Sequence, residues 1–409
     1  MKIISLRTAV IAANFRWTYV RIYSDADGGV YGTGECFFAP GLPAIIAEFE
    51  SILAGEDPRN IECLVEKMRW ASSGAGSLGG IVWNAITGIE AALWDLKGKT
   101  TGLPVYELLG GKFRQSARIY LDCHAAGELE CLDALLQPTE PAWAGGAVSG
   151  AAQETDREAV ISGACERARK MVELGYSALK FDLDLPDSSF DQAEGYRLTP
   201  KDMDWMVRFV HAVREAVPDA DLAFDAHWRY RAHEILQVMK EVESCRLMWL
   251  EDPLPPQDRE GLRYLHNQSS TPIGTGENLQ LAPAFFEIAS HNLADVLAPD
   301  LQKAGGLAEA RKIAAIAEAA NKPVAPHMIG SPLALMASCH FALSIPNFLA
   351  CEFHAHDVPF FHELVVGGSE GWFEHGWVTP PESPGFGVEL DEKVGKRYRL
   401  GGTKWFDEP

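Results

Sequence analysis

Three carboxylates set the frame for this chain. Asp225, Glu251 and Glu277 each follow a short apolar run, in FDAHWRY, WLEDPLPP and GTGEN, and successive acids stand 26 residues apart. A strand, a loop, a helix and a second loop consume about that length in an α/β unit, so each acid falls where a strand ends. One Asp or Glu in such a place usually caps the next helix. Three in phase point instead to a shared ligand, and converging oxygen donors suit a hard divalent cation, Mg²⁺ before Mn²⁺.

The phase continues along the chain. Asp300 lies 23 residues beyond Glu277, His327 a further 27, and Glu352 a further 25, while Lys180 and Asp182 in SALKFDLD precede Asp225 by one longer unit. Seven candidate strand ends therefore carry ionisable residues. A ring of such residues at the carboxyl ends of parallel strands is how a (β/α)₈ barrel builds an active site.

The expected fold class is α/β, a TIM-like (β/α)7–8 barrel joined to an α+β domain. The 409 residues exceed a barrel of roughly 250 by enough for that second domain. Residues 1–115 lack the strand–helix rhythm. KIISLRTAV and RWTYVRIYS alternate like strands, a third ends at VYGTGECFF, and helices follow over Pro43–Leu53, Ile61–Trp70 and Ile81–Gly98, with SSGAGSLGG a Gly/Ser loop between the last two. The barrel, residues 116–355, opens with a strand at Ala117–Cys123 and has His124 at that strand's end. Gly127–Glu154 is longer than a usual βα loop and reads either as a cover for the mouth or as a peripheral insertion. Thr199-Pro200 supplies an N-cap and an N1 proline; the later helices are EILQVMKEV, LAPAFFEIA, AEARKIAAIAEAA and PLALMASCHFAL, and the strands LMWL, DVLAP, PVAP and FLAC. Residues 356–409 form a tail rich in Pro, Gly and aromatics.

A net charge of −21 argues against nucleic acid, whose phosphates reward Lys and Arg, and no apolar run approaches the roughly 20 residues of a membrane helix. Arg7 interrupts what would otherwise resemble an export signal, and the eight cysteines show no CxxC spacing, so a reduced cytoplasm is expected.

Six motifs now stand in order: Lys180-x-Asp182, Asp225-x-His227, Glu251-Asp252-Pro253, Gly276-Glu277-Asn278, Asp300 with Lys303-x-Gly305-Gly306, and Pro326-His327. In that order, and over nearly the whole chain, they resemble the enolase superfamily and, within it, the mandelate racemase-like group. The resemblance implies that the amino-terminal domain caps the barrel, that the tail returns to this cap, and that the protein forms a homo-oligomer. Loops near Asn14–Trp17, Asp25–Tyr31 and Ser72–Gly80 would then help select a small-molecule substrate. It also implies a metal held by Asp225, Glu251 and Glu277, a base at His327 oriented by Asp300, and Lys180 on the substrate carboxylate. Glu352 is expected on the substrate, and Asp182 either there or paired with Lys180.

Racemases and cycloisomerases of the group carry a second lysine where this chain has Asp182, so the usual second base is missing. Asp225-x-His227 is similar instead to the group's acid-sugar dehydratases of galactonate dehydratase type, in which the histidine protonates a leaving β-hydroxyl. Two residues along an extended strand, His227 would share a side with Asp225. The expected activity is a Mg²⁺-dependent dehydration of an aldonate or aldarate to a 2-keto-3-deoxy sugar acid. The alternatives are a racemase, epimerase or cycloisomerase of the same superfamily, a Schiff-base lyase using Lys180 as nucleophile, and a non-catalytic ligand-binding relative.

Overall fold

Close helix–sheet contact defines the amino-terminal domain. Strands β1 (Ile3–Ala12), β2 (Arg16–Ser24) and β3 (Tyr31–Cys36) form an antiparallel sheet in that order. Helices α1 (Leu42–Leu53), α2 (Ile61–Ala71) and α3 (Gly80–Thr101) follow, as the periodicity predicts. α3 lies directly on β3: a Cβ on Gly32 or Gly34 would sit 2.0 Å or 2.2 Å from the carbonyls of Ala92 and Gly88. Only glycine lets the two backbones approach so closely. The computed structural model describes residues 1–76, 78–123, 156–185, 197–369 and 371–408. His124 and Gly127–Glu154 lie outside the described residues.

After the short α4 (Val105–Leu108) come β4 (Ala117–Asp122), α5 (Arg157–Glu173), β5 (Ala178–Asp182) and α6 (Pro200–Ala216). Thr199 and Asp202 close a full capping box at the start of α6. Next are β6 (Asp221–Asp225), α7 (Ala232–Glu241), β7 (Trp249–Glu251), α8 (Arg259–Gln268), β8 (Ile273–Thr275), α9 (Leu281–Ser290), β9 (Val296–Leu297), α10 (Gly306–Ala319) and α11 (Pro332–Leu343). β4 to β9 pair in parallel, Val324 bridges Leu297 and Phe348, and β10 (Cys351–Phe353) pairs with β4 to close the ring. The strand expected at PVAP is thus only a bridge. The sequence reading also passes over α8, whose buried face is just Leu262 and Leu265.

The tail serves both domains. Its hairpin, β11 (Phe373–Glu374) and β12 (Trp377–Val378), pairs antiparallel with β4. Beyond α12 (Glu392–Arg397), Tyr398 accepts from the Ala12 amide and the Leu400 amide donates to Val10, each at 2.9 Å, so the tail joins the sheet of the cap. No helix among the described residues is long and apolar enough to cross a membrane.

Inside the barrel, Tyr120, Ala178, Ala223, Trp249, Val296, Ala325 and Ala350 form a buried layer separate from the main core. Alanine at four of these positions leaves room for the Trp249 indole, which meets Tyr120 edge to face at 5.2 Å. Side chains alternate faces along a strand, so the residue two further on also points inward, one level higher. Those residues include Asp122, Lys180, Asp225, Glu251, His327 and Glu352. An apolar floor carries the polar ring.

Candidate active site

Register sets the acids side by side. Asp182 is level with Asp225, and Asp225 with Glu251, on neighbouring parallel strands. Glu277 stands out of phase on its strand and reaches the site because Gly276, at φ +144, turns the backbone. A side chain on Gly276 would also strike Phe285 and Ala298. One oxygen from each of Asp225, Glu251 and Glu277 lies within 4.8 Å of the others. Glu251 Oε2 accepts from Trp249 Nε1 at 3.1 Å, while its Oε1 is buried with no hydrogen-bond partner among the described residues. Burial, with the charges of Asp225, Glu352 and Glu277 adding to it against Lys180, raises the Glu251 carboxyl to about 8. Three hard oxygen donors that repel one another when bare, one of them unpartnered, fit a divalent cation.

Lys180 is the positive charge inside this cluster. Its Nζ lies 2.7 Å from Glu352, 3.2 Å from Glu251 and 3.3 Å from Asp225, and the residue is only 2% exposed. Burial alone would favour the neutral amine, but the carboxylates of Glu251, Glu352 and Asp225 outweigh it and hold the ammonium well above its usual range. Glu352 is not placed as expected for a substrate contact. It is fully buried, with Oε1 on Lys180 and Oε2 accepting from the Met328 amide at 3.1 Å. Its two oxygens hold the lysine and the loop behind His327.

His327 faces the triad from the opposite side. Nδ1 is 2.6 Å from Asp300 Oδ2, and Nε2 is 3.1 Å from Glu277 Oε2. Burial opposes charge on the ring, yet Glu352, Glu277 and Asp300 together raise it to about 9. A cation taking up the charge of Glu277 would remove part of that pull and move the ring towards neutrality.

His227 reaches the site by a different route from the one expected. β6 ends at Asp225, and His227 and Trp228 adopt φ of +46 and +48, so no extended chain carries the imidazole. The amides of Ala226 and Trp228 donate to the carbonyls of Glu251 and Asp252, and the His227 amide to Asp225 Oδ1 at 2.8 Å, which fixes the turn. Nε2 then points between Asp182 and Asp225, 3.9 Å from each, and Nδ1 lies 3.1 Å from Asp184 Oδ2. Burial lowers this ring's basicity, but Asp225, Asp182 and Asp184 more than reverse that and hold it well above the usual histidine range. Asp184, also bound by Arg229 at 2.9 Å, is missing from the sequence reading, although Lys180-x-Asp182-x-Asp184 continues one alternation. Asp182 is placed against His227, the expected pairing with Lys180 giving way to the three carboxylates already on that lysine.

The cap covers this centre with aromatic rings. Phe15 stacks on Phe38 at 4.3 Å, Phe38 on Phe37 at 4.4 Å, and Phe37 lies 6.4 Å from the His327 ring. Lys303 Nζ sits 3.9 Å over Phe37 and donates to Asn278 beside Glu277. Asn14 meets His354 at 3.1 Å, and the Gly80 amide donates to Gln280, so two of the three expected cap loops reach the barrel mouth. The third, Asp25–Tyr31, packs against Lys2 and Lys99 at the other end of β2 from Phe15.

Acids on three neighbouring staves, faced by two carboxylate-backed imidazoles beneath a cap, define a barrel enzyme of cation-assisted proton transfer. Residues 6–110 match the family described as Mandelate racemase / muconate lactonizing enzyme, N-terminal domain, and residues 163–394 match Enolase C-terminal domain-like. The chain belongs to the enolase superfamily, in its mandelate racemase/muconate lactonizing enzyme family. It is 36% identical over 409 residues to a D-xylonate dehydratase of Haloferax volcanii, covering 100% of this chain and 91% of that protein. It is 30% identical over 405 residues to a D-galactonate dehydratase of Variovorax paradoxus, covering 96% and 93%. The crystal structure of a mandelate racemase/muconate lactonizing enzyme-like protein from Rubrobacter xylanophilus superposes with a TM-score of 0.87 at 37% identity, covering 99% of each chain.

Proposed function

We propose that this chain dehydrates a sugar acid, an aldonate or aldarate, to its 2-keto-3-deoxy product, with Mg²⁺ on Asp225, Glu251 and Glu277. The observation that carries this reading is the pair of carboxylate-backed imidazoles, His327 with Asp300 and His227 with Asp184, facing one acid triad. When bound, the cation supplies Lewis-acid stabilisation of the charge that grows on the substrate carboxylate.

His327 donates Nδ1–H to Asp300, which leaves Nε2 as the basic atom and steadies the imidazolium once it forms. Nε2 takes the proton α to the carboxylate. The C–H electron pair first moves towards the carboxylate, a step that can reverse, and then becomes the new carbon–carbon double bond as the β-hydroxyl leaves with its own pair. His227, kept protonated by its three acidic neighbours, gives that hydroxyl a proton so that it departs as water. The resulting enol tautomerises to the ketone. Lys180 holds the carboxylate cluster together; a Schiff-base nucleophile must shed its proton, and this ammonium is held in the charged form. A racemase needs a second base on the opposite face, and Asp182 occupies that position. The names of the relatives support dehydration, and we divide the chain into cap (1–115), barrel (116–355) and returning tail (356–409).

The test is incubation of the Mg²⁺-loaded protein with a panel of aldonates and aldarates, reading 2-keto acid formation and, in D₂O, label at the α carbon. Keto acid from at least one member is expected. Inversion at the α carbon without keto acid would assign a racemase or epimerase instead.

A further inference from the structure

The capping domain reaches the proton-transfer pair through two buried carboxylates. Glu35 on β3 is 3% exposed and Glu90 on α3 is fully buried. Each is aimed at the start of a barrel helix. Glu90 accepts from the amides of Leu307 and Ala308, both at 3.0 Å, at the first turn of α10. Glu35 accepts from the Ser331 amide at 3.1 Å and from the Ser331 hydroxyl, at the N-cap of α11. Amides at a helix start are unsatisfied within the helix, so a carboxylate there fixes where the helix begins.

Those two starts are also the far ends of the two loops that matter. Asp300 lies six residues before Gly306, the first residue of α10, and His327 four residues before Ser331. Within the first loop Asp300 Oδ1 accepts from the Gln302 amide at 2.6 Å, and the cap's Thr87 hydroxyl donates to the Gln302 carbonyl at 2.5 Å. The approach is close at the two glycines: a Cβ on Gly306 would lie 2.4 Å from Glu90, and one on Gly330 2.7 Å from Glu35 and 3.0 Å from the Gln302 side chain.

We infer that Glu35 and Glu90 are positioning residues, which carry the alignment of His327 with Asp300 across the seam between cap and barrel. Through these two carboxylates the cap takes part in proton transfer from a distance, neither of them reaching the substrate. This rests on the reading of His327 as the proton acceptor, so the test has an arm independent of turnover.

The full-length Glu35→Gln and Glu90→Gln variants are compared with Asp95→Asn. Asp95 is an equally buried cap carboxylate, but it accepts from the Thr33 and Phe386 amides and pairs with Lys99 at 2.7 Å, with no bond to the start of α10 or α11. Two readouts are taken: the low-field imidazole N–H proton resonance that His327→Asn abolishes, and Mg²⁺-dependent turnover of D-xylonate and D-galactonate. Glu35→Gln and Glu90→Gln are expected to shift or broaden the resonance and to lower kcat at least about tenfold, with KM within about twofold. Asp95→Asn is expected to lose thermal stability while keeping both signals. If Glu35→Gln does not fold, Ser331→Ala removes the hydroxyl contact to Glu35 together with the hydroxyl's cap on the Leu333 amide, and an unchanged resonance in it overturns the inference in the same way. An unchanged resonance in the Glu35 and Glu90 variants overturns the inference, as does an equal kcat loss in Asp95→Asn. Absence of turnover in the wild type, with the resonance still responding, counts against the dehydratase reading alone.

Discussion

Replacing Lys180 by Met should make the fold depend on its cation. The Lys180 ammonium is 2.7 Å, 3.2 Å and 3.3 Å from Glu352, Glu251 and Asp225, and two of those three are metal-ligand candidates. Methionine fills much of the same space and removes the charge, leaving carboxylates buried without their partner. Breaking a buried pair from one side costs about 3–5 kcal/mol, and that loss is expected of the metal-free protein. Ammonium and cation share two acids, Asp225 and Glu251, so the part of the Lys180 contribution that the cation displaces opposes metal binding by that same amount. Recovery of about 1.4 kcal/mol is enough for a tenfold change. Lys180→Met should therefore unfold at lower denaturant in EDTA, regain part of the difference in Mg²⁺, about 1.4 kcal/mol for each tenfold in affinity, and bind Mg²⁺ or Mn²⁺ at least about tenfold more tightly by calorimetry. Equal stability in EDTA together with unchanged or weaker metal affinity would refute the counter-ion role. Borohydride with substrate should leave the wild-type Lys180 unmodified; a covalent adduct there would establish the lyase instead.

Three further outcomes are expected. His327→Asn should stop both dehydration and exchange of the α proton with D₂O, by roughly 10²- to 10⁴-fold, whereas His227→Asn should lower dehydration while sparing measurable exchange; wild-type dehydration by His227→Asn would remove its role as the acid. Chelation should abolish turnover and Mg²⁺ restore it, and Glu251→Gln, lacking one of three ligand charges, should weaken cation binding; full activity in excess EDTA would refute the metal reading. Stability should also fall with acid through His340, which accepts the Tyr106 amide on Nδ1 and faces the Phe386 carbonyl with Nε2, and which burial lowers to about 4. The unfolded chain binds this proton more readily, so the contribution is whole above pH ~6.5, shrinks by about 3 kcal/mol as pH drops to ~4, and should be flattened in His340→Gln on a plot of unfolding midpoint against pH.

What could be read from the sequence divides along a physical line. Asp225, Glu251 and Glu352 were legible because strand alternation is local: a small or aromatic floor residue two positions earlier fixes the direction of the acid. His327 follows Ala325 in the same way, even though its strand is only the bridge at Val324. His227 was found for an incomplete reason, since its direction comes from a left-handed turn pinned by carbonyls of the neighbouring strand. The resemblance carried that residue where strand geometry did not. Direction is also not function. Glu352 shares the inward phase of Glu251, yet the lysine opposite takes up its charge, and no alternation reports which neighbour a buried acid will meet. The seam is harder still. Glu90 meets Leu307 and Glu35 meets Ser331 across 217 and 296 residues, so neither acid's own surroundings in the chain name its partner. A local trace does exist on the barrel side. Gly306 and Gly330 stand at the ends of the loops that carry Asp300 and His327, and a Cβ at either would press on those carboxylates; Gly306 also holds φ +83 and Gly330 also abuts Ala334, so each glycine is only in part the imprint of an acid from the other domain. Reading such an imprint requires the partner that made it, which is why the ring inside the barrel was legible and its attachment to the cap was not.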